Sequence, residues 1–171
     1  EGDLLIEEYR KLLNKRTCLV ALGHVSNALG TINPIKEIID LAHQNNSLVL
    51  IDGAQAVAHL EVDVIALDCD FYAFSSHKMY GPMGMGVLYG KKHLLEQLQP
   101  YQGGGEMIAS VSFEKTTYNE LPYKFEAGTP NVADVIALSK AVEFIQKYGV
   151  ANLAKLESEV LEYATEEFKK I

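Results

Sequence analysis

The chain has 171 residues, 48% of them hydrophobic, which suits one globular domain with its own core. A formal net charge of −8, from 23 acidic against 15 basic residues, argues against nucleic acid, whose phosphates demand a basic footprint. No apolar run approaches the roughly 20 residues a bilayer span requires, and the N-terminus lacks the basic-then-apolar order of a signal peptide.

The spacing of Leu4, Leu5, Tyr9, Leu12 and Leu13 predicts an amphipathic helix over residues 3–14. The apolar run Thr17 to Leu22 predicts a strand covered on both faces, followed by loop from Gly23 to Thr31. Pro34 suits a first helical position, and Ile35, Ile38, Ile39 and Ala42 form the buried stripe of a helix ending near Asn45. Ser47 to Ile51 reads as the next buried strand, Val62 to Leu67 as a short helical turn and Asp70 to Ser75 as a third strand. After a Gly-Pro turn, Gly86 to Tyr89 reads as a fourth. Lys91 to Gln99 looks helical. Tyr101 to Asn131 is irregular, with a strand around Ser110 to Phe113. Two helices close the chain. One runs from Val132 to Tyr148, with Val135, Ile136, Val142 and Ile145 inward. The other runs from Asn152 to Lys170, with Leu153, Leu156, Val160, Ala164 and Phe168 on one stripe.

Strand, helix, strand, crossover, strand is an α/β pattern: a mostly parallel sheet flanked by helices, with right-handed crossovers. The short connection from 70–75 to 86–89 predicts an antiparallel return. In open α/β sheets ligands sit beyond the carboxyl ends of the strands. Asn27, Asp52 and Ser75 to Lys78 all follow such ends, so three polar clusters converge on one rim.

Phe74-Ser75-Ser76-His77-Lys78-Met79-Tyr80-Gly81-Pro82 is the most informative stretch. A lysine at the mouth of a core strand has a task for its amine more often than a lysine elsewhere. Asp52 ends another strand, and Gln55 follows one turn later. An amine and a carboxylate on one rim point to pyridoxal phosphate, with Lys78 on its aldehyde and Asp52 paired to its pyridine nitrogen. Gln55 is placed to donate to the ring phenolate oxygen, Ser75 and His77 to phosphate oxygens, and Gly128-Thr129 forms a further backbone-plus-hydroxyl phosphate site.

Taken singly, these residues have plainer readings. Lys78 alone is a solvated charge, Asp52 before Gly53 is turn chemistry, and Asn27 is a turn residue. His24 and His59 read as hydrogen-bonded structural histidines and His43 as solvated. Gly103-Gly104-Gly105 lacks the Lys-Ser/Thr of a P-loop and reads as a flexible connection. Cys18 and Cys69 read as small buried hydrophobes. Two cysteines make no disulfide framework, so a reducing, cytosolic setting is expected.

Together, four segments resemble the cysteine desulfurases, closest to the SUF-type branch that includes selenocysteine lyases, within the class V aminotransferases. They are Gly23-His24-Val25-Ser26-Asn27-Ala28-Leu29-Gly30, Asp52-Gly53-Ala54-Gln55-Ala56, Ser75 to Pro82, and Phe125-Glu126-Ala127-Gly128-Thr129-Pro130-Asn131. The resemblance implies the fold-type I architecture of pyridoxal phosphate enzymes. It makes Lys78 the Schiff-base lysine, Asp52 the pyridinium partner, Gln55 the phenolate-oxygen donor, and Ser75 and His77 phosphate ligands. Asn27 lies near the substrate carboxylate. Thr129, with Gly128, resembles the phosphate contact supplied by the neighbouring subunit of a homodimer. The implied reaction converts L-cysteine to L-alanine, passing sulfur to a mobile-loop cysteine and then to an acceptor protein for iron–sulfur assembly, in the cytoplasm.

Members of that branch are longer. No cysteine follows Cys69, so the nucleophilic thiol of the pattern has no counterpart. The chain opens on Glu1-Gly2-Asp3 and closes on a charged helix. It is expected to be part of the cofactor-binding large domain, without the start of that domain or the C-terminal small domain, and inactive alone. A selenocysteine lyase or another class V enzyme stays open as an alternative. So does a catalytically dead interaction scaffold, against which the joint presence of Lys78, Asp52, Gln55 and His77 weighs.

Overall fold

The structure, a computed structural model, describes residues 2–171. Its main sheet has four strands in the order β1 (Leu19–Gly23), β2 (Leu48–Asp52), β3 (Phe71–Ser75) and β4 (Gly86–Gly90). The first three are parallel and β4 returns antiparallel beside β3, as the spacing predicts. The helices are α1 (Ile6–Leu12), α2 (Ile35–Gln44), α3 (Val64–Leu67), α4 (Lys92–Gln97), α5 (Val132–Tyr148) and α6 (Val150–Phe168). A separate hairpin pairs β5 (Ile108–Val111) with β6 (Thr116–Tyr118), where the sequence suggests a single strand near 110–113.

The core forms where α2 lies on β2. All four residues of the α2 stripe, Ile35, Ile38, Ile39 and Ala42, are buried. Ile35, Ile39 and Ala42 pack with Val49, Ile51, Cys69 and Tyr72. Burying each large aliphatic side chain contributes about 1.5–3 kcal/mol. Gly53 marks the tightest approach, because a Cβ there would lie 1.9 Å from the ring of Tyr72, itself 1% exposed. Gly53→Ala is therefore expected to destabilise the fold by about 3 kcal/mol, the upper end of overpacking costs. A thermal midpoint unchanged from wild type would show that the ring can move aside.

Asp70 ties three elements together. Its carboxylate accepts from Val49 N at 2.8 Å on β2, and contacts His43 Nε2 at 2.9 Å on α2 and Lys91 Nζ at 3.0 Å after β4. Burial alone would raise its pKa. The hydrogen bonds from His43, Lys91 and the Val49 amide outweigh that and hold the carboxyl below its ordinary range. His43 is thus a half-buried partner of a buried acid rather than a solvated residue; its partner lies 27 positions away.

Four further expectations are corrected. Among the described residues β1 is an edge strand and is only partly covered, with Leu19 51% exposed; Cys18, just before it, is exposed rather than buried. On α5, Val135, Ile136 and Val142 are exposed and Ala141 is buried instead. On α6, Leu156, Val160 and Phe168 are also exposed. The periodicity of both helices is real, but among the described residues no second layer covers those faces. No helix among the described residues is long and apolar enough to cross a membrane.

Candidate active site

The parallel register sets the rim. Asp52 pairs with Gly23 of β1 on one side and Ala73 of β3 on the other. His24 N donates to Asp52 O and Gly53 N to Ala73 O, both at 2.8 Å, so the backbone stays locked as the strands end. The Asp52 side chain is exposed, and its Oδ1 accepts from Ala54 N at 2.9 Å, a turn-forming contact that aims the carboxyl outward. The chain then winds, with Ala56 N and Val57 N both donating to Gly53 O. This puts Gln55 above the sheet, where its amide donates to Asn27 Oδ1 in a short contact. The loop after β1 and the turn after β2 therefore meet through two of the expected residues.

His24 supports this rim from below. It is buried, and its Nδ1 lies 2.9 Å from the hydroxyl of Tyr72, with the two rings edge to face. Burial lowers the imidazole pKa, which keeps Nδ1 free to accept the phenol proton; burial also pushes the phenol pKa up.

The lysine sits on the adjoining turn. β3 ends at Ser75, and Ser76–Lys78 form a single 3₁₀ turn. Ser76 N donates to Met85 O, while Met79 N and Gly81 N both donate to Ser76 O. Ser76 and Met79 are buried, and His77 and Lys78 between them are exposed. The turn is thus pinned by its inner residues and presents the imidazole and the amine. Lys91 is held by Asp68 and Asp70, whereas Lys78 has no ion pair among the described residues.

Ser76 itself carries an orphan: its hydroxyl is fully buried with no hydrogen-bond partner among the described residues. A Cβ on Gly81 would lie 2.3 Å from that oxygen. Ser76→Ala removes the unsatisfied group and keeps the shape. It is expected to raise stability by about 1 kcal/mol, read as a higher thermal midpoint; a lower midpoint would mean the hydroxyl has a partner after all.

The structure thus brings Asn27, Asp52, Gln55, Ser75, His77 and Lys78 to one rim. Gly128 and Thr129 stand apart. Gly128, at φ 82°, donates to Gly105 O at 2.9 Å and borders a separate cleft with Gly84, Gly86 and Asn131, while Thr129 is exposed beside it. Sequence reasoning did not single out Tyr80 or Glu157, which meet near the lysine turn. Tyr80 lies inside the lysine segment, but Glu157 carries no local signal, since its partners are 77 and 98 residues away.

Comparison with known proteins gives the family. The family Aminotransferase class-V matches residues 1–171. A cysteine desulfurase of Synechococcus elongatus is 55% identical over 164 residues, covering 96% of this chain and 26% of its own. The crystal structure of the Escherichia coli cysteine desulfurase CsdA superposes with a TM-score of 0.94 at 42% identity, covering 98% of this chain and 42% of its own. A variant of C-DES with glycine covalently linked to its pyridoxal phosphate cofactor superposes at 0.77 with 29% identity, covering 88% of this chain and 40% of its own. The chain therefore spans less than half the length of these relatives. With a family match along its whole length, this chain belongs to the class V aminotransferases and has the mostly parallel α/β fold of the fold-type I pyridoxal phosphate transferases.

Proposed function

We propose that this chain is part of the cofactor-binding large domain of a pyridoxal-phosphate-dependent cysteine desulfurase that converts L-cysteine to L-alanine. The observation that carries this reading is the shared rim, on which a lysine in no ion pair among the described residues, an outward-facing carboxylate and several neutral donors follow the ends of adjacent strands. The donor set fits the group: an amine for an aldehyde, a carboxylate for a ring nitrogen, and a hydroxyl and an imidazole for a phosphate. When bound, pyridoxal phosphate supplies an electron sink for the substrate's α-carbon.

Each side chain then has a task. Lys78 Nζ would hold the cofactor at its aldehyde and, as a free amine, would move a proton at the substrate's α-carbon. Asp52 holds the proton on the pyridine nitrogen. Gln55 donates to the ring oxygen, and Asn27, hydrogen-bonded to it, orients the substrate carboxylate. Ser75 and His77 hold the phosphate, joined by Gly128 and Thr129 from the second subunit of a homodimer.

As an acceptor thiolate forms an S–S bond to the substrate's sulfur, the Cβ–S bond breaks; its electron pair stays with Cβ, which takes up a proton to become the methyl group of alanine. Neither cysteine of this chain suits that step. Cys69 is buried, and its burial pushes the thiol pKa up. Cys18 precedes β1, at the opposite end of the strands from the rim, a strand length of about 16 Å away. The accepting thiol belongs to another part of the protein, and from there sulfur passes to an acceptor protein for iron–sulfur assembly in a reducing cytosol.

The test uses the full-length protein. Loaded with pyridoxal phosphate, it is expected to absorb visible light and to form alanine from L-cysteine; a protein that stays colourless and forms none overturns the reading. Asp52→Asn is expected to keep the cofactor and lose kcat on the order of 10²-fold, because the ring nitrogen loses its proton-holding partner. An unchanged kcat removes Asp52 from the site.

A further inference from the structure

Glu157, in the middle of α6, touches both turns that carry the proposed site. One carboxylate oxygen lies 2.7 Å from Nδ1 of His59, and the other accepts from the Tyr80 hydroxyl at 3.4 Å. His59 stands four residues beyond Gln55 on the winding segment that follows Asp52, with His59 N donating to Ala56 O. Tyr80 stands two residues beyond Lys78. One acid on a distant helix therefore spans the Asp52–Gln55 segment and the lysine turn.

Two observations indicate that this bridge positions the turns rather than merely decorating the surface. Tyr80 holds a left-handed backbone, φ 59°, which is unfavourable for a bulky side chain and persists only where its surroundings impose it. Its ring is fixed on one side by Phe144 of α5, with centroids 5.3 Å apart, and at its hydroxyl by Glu157. In addition, His59 and Glu157 line the same cleft as Asn27 and Gln55, so the bridge forms a wall of the space above the rim.

We propose that Glu157 is a positioning residue: by holding His59 and Tyr80 together it fixes the separation between the Asp52–Gln55 segment and Lys78, and hence the fit of the cofactor between them. The proposal rests on the pyridoxal phosphate reading of this rim. Without the bridge, the lysine turn is free to relax from its strained backbone, and the amine and the carboxylate no longer hold one fixed spacing.

The experiment is a titration of the full-length apoprotein with pyridoxal phosphate, followed by its visible spectrum, for wild type, Glu157→Ala, Glu157→Gln, Tyr80→Phe and the Glu157→Ala/Tyr80→Phe double variant. Glu157→Ala is expected to weaken cofactor binding on the order of 10-fold and to shift the visible band, the scale of one lost charge-assisted hydrogen bond. Glu157→Gln keeps one accepting oxygen for one partner and offers an amide N–H to the lone pair of the other, and is expected to restore most of it. The double variant is expected to lose less than the sum of the singles, because both act on one contact. Glu157→Ala with wild-type affinity and spectrum overturns the proposal, as does additivity of the two changes. A thermal midpoint lowered in Glu157→Ala with the spectrum unmoved also overturns it, since that outcome is packing alone. If wild type itself fails to bind pyridoxal phosphate, the functional reading fails first, and that result is distinct from all of these.

Discussion

Lys78→Ala in the full-length protein is expected to lower alanine formation from L-cysteine by at least on the order of 10³-fold, the scale seen when a covalent catalyst is removed. The visible band of the lysine-bound cofactor should vanish with it. The structure makes this a clean test. Lys78 is exposed and in no ion pair among the described residues, and the turn is held by Ser76 and Met79. Deleting the amine therefore leaves the fold within about 0.5 kcal/mol of wild type, as for surface substitutions in general. Turnover at the wild-type rate in the alanine variant would refute the assignment of Lys78 outright.

The second large effect concerns stability. Asp70→Ala leaves the Val49 amide without its side-chain acceptor and leaves His43 and Lys91 with only the exposed Asp68. Leaving a buried backbone amide unsatisfied and removing the buried centre of this network costs about 3 kcal/mol. For a domain of this size the thermal midpoint should fall by roughly 6–12 °C. Asp70→Asn keeps an acceptor for the amide and should fall less. The pH dependence has a defined sign. The folded pKa of Asp70 is depressed, so its contribution is fully present above the unfolded value of about 4 and is lost as pH falls through the folded pKa. The acid limb of a stability–pH curve should therefore be shallower in Asp70→Asn, and an identical limb in the two proteins would remove Asp70 as its source.

Much of the fold and the rim was legible in the residues because the signals were local. The α2 stripe shows a helical period, the strands are short apolar runs bounded by turns, and the brief link to β4 leaves no room for a parallel crossover. The order of polar residues after strand ends was enough to gather Asn27, Asp52, Gln55, Ser75, His77 and Lys78 on one side. What escaped were facts about neighbours. An apolar run such as Thr17 to Leu22 reads the same whether its strand is central or, like β1, at an edge, so Cys18 was expected inside and lies outside. The stripes of α5 and α6 report an amphipathic helix but not what lies against it. His43 pairs with Asp70 and Glu157 with His59 and Tyr80 across separations that no local pattern encodes.

The antiparallel pairing of β3 with β4 bears on how the protein reaches this state. Closing that hairpin spans only the ten residues from Ser76 to Met85, whereas joining β1 to β2 must gather the 24 residues between Gly23 and Leu48. Shorter closures cost less entropy and tend to come earlier. On this ground the hairpin bearing Lys78 is expected to order ahead of the β1–β2 crossover in refolding, so that the amine acquires its surroundings before the acid across from it arrives.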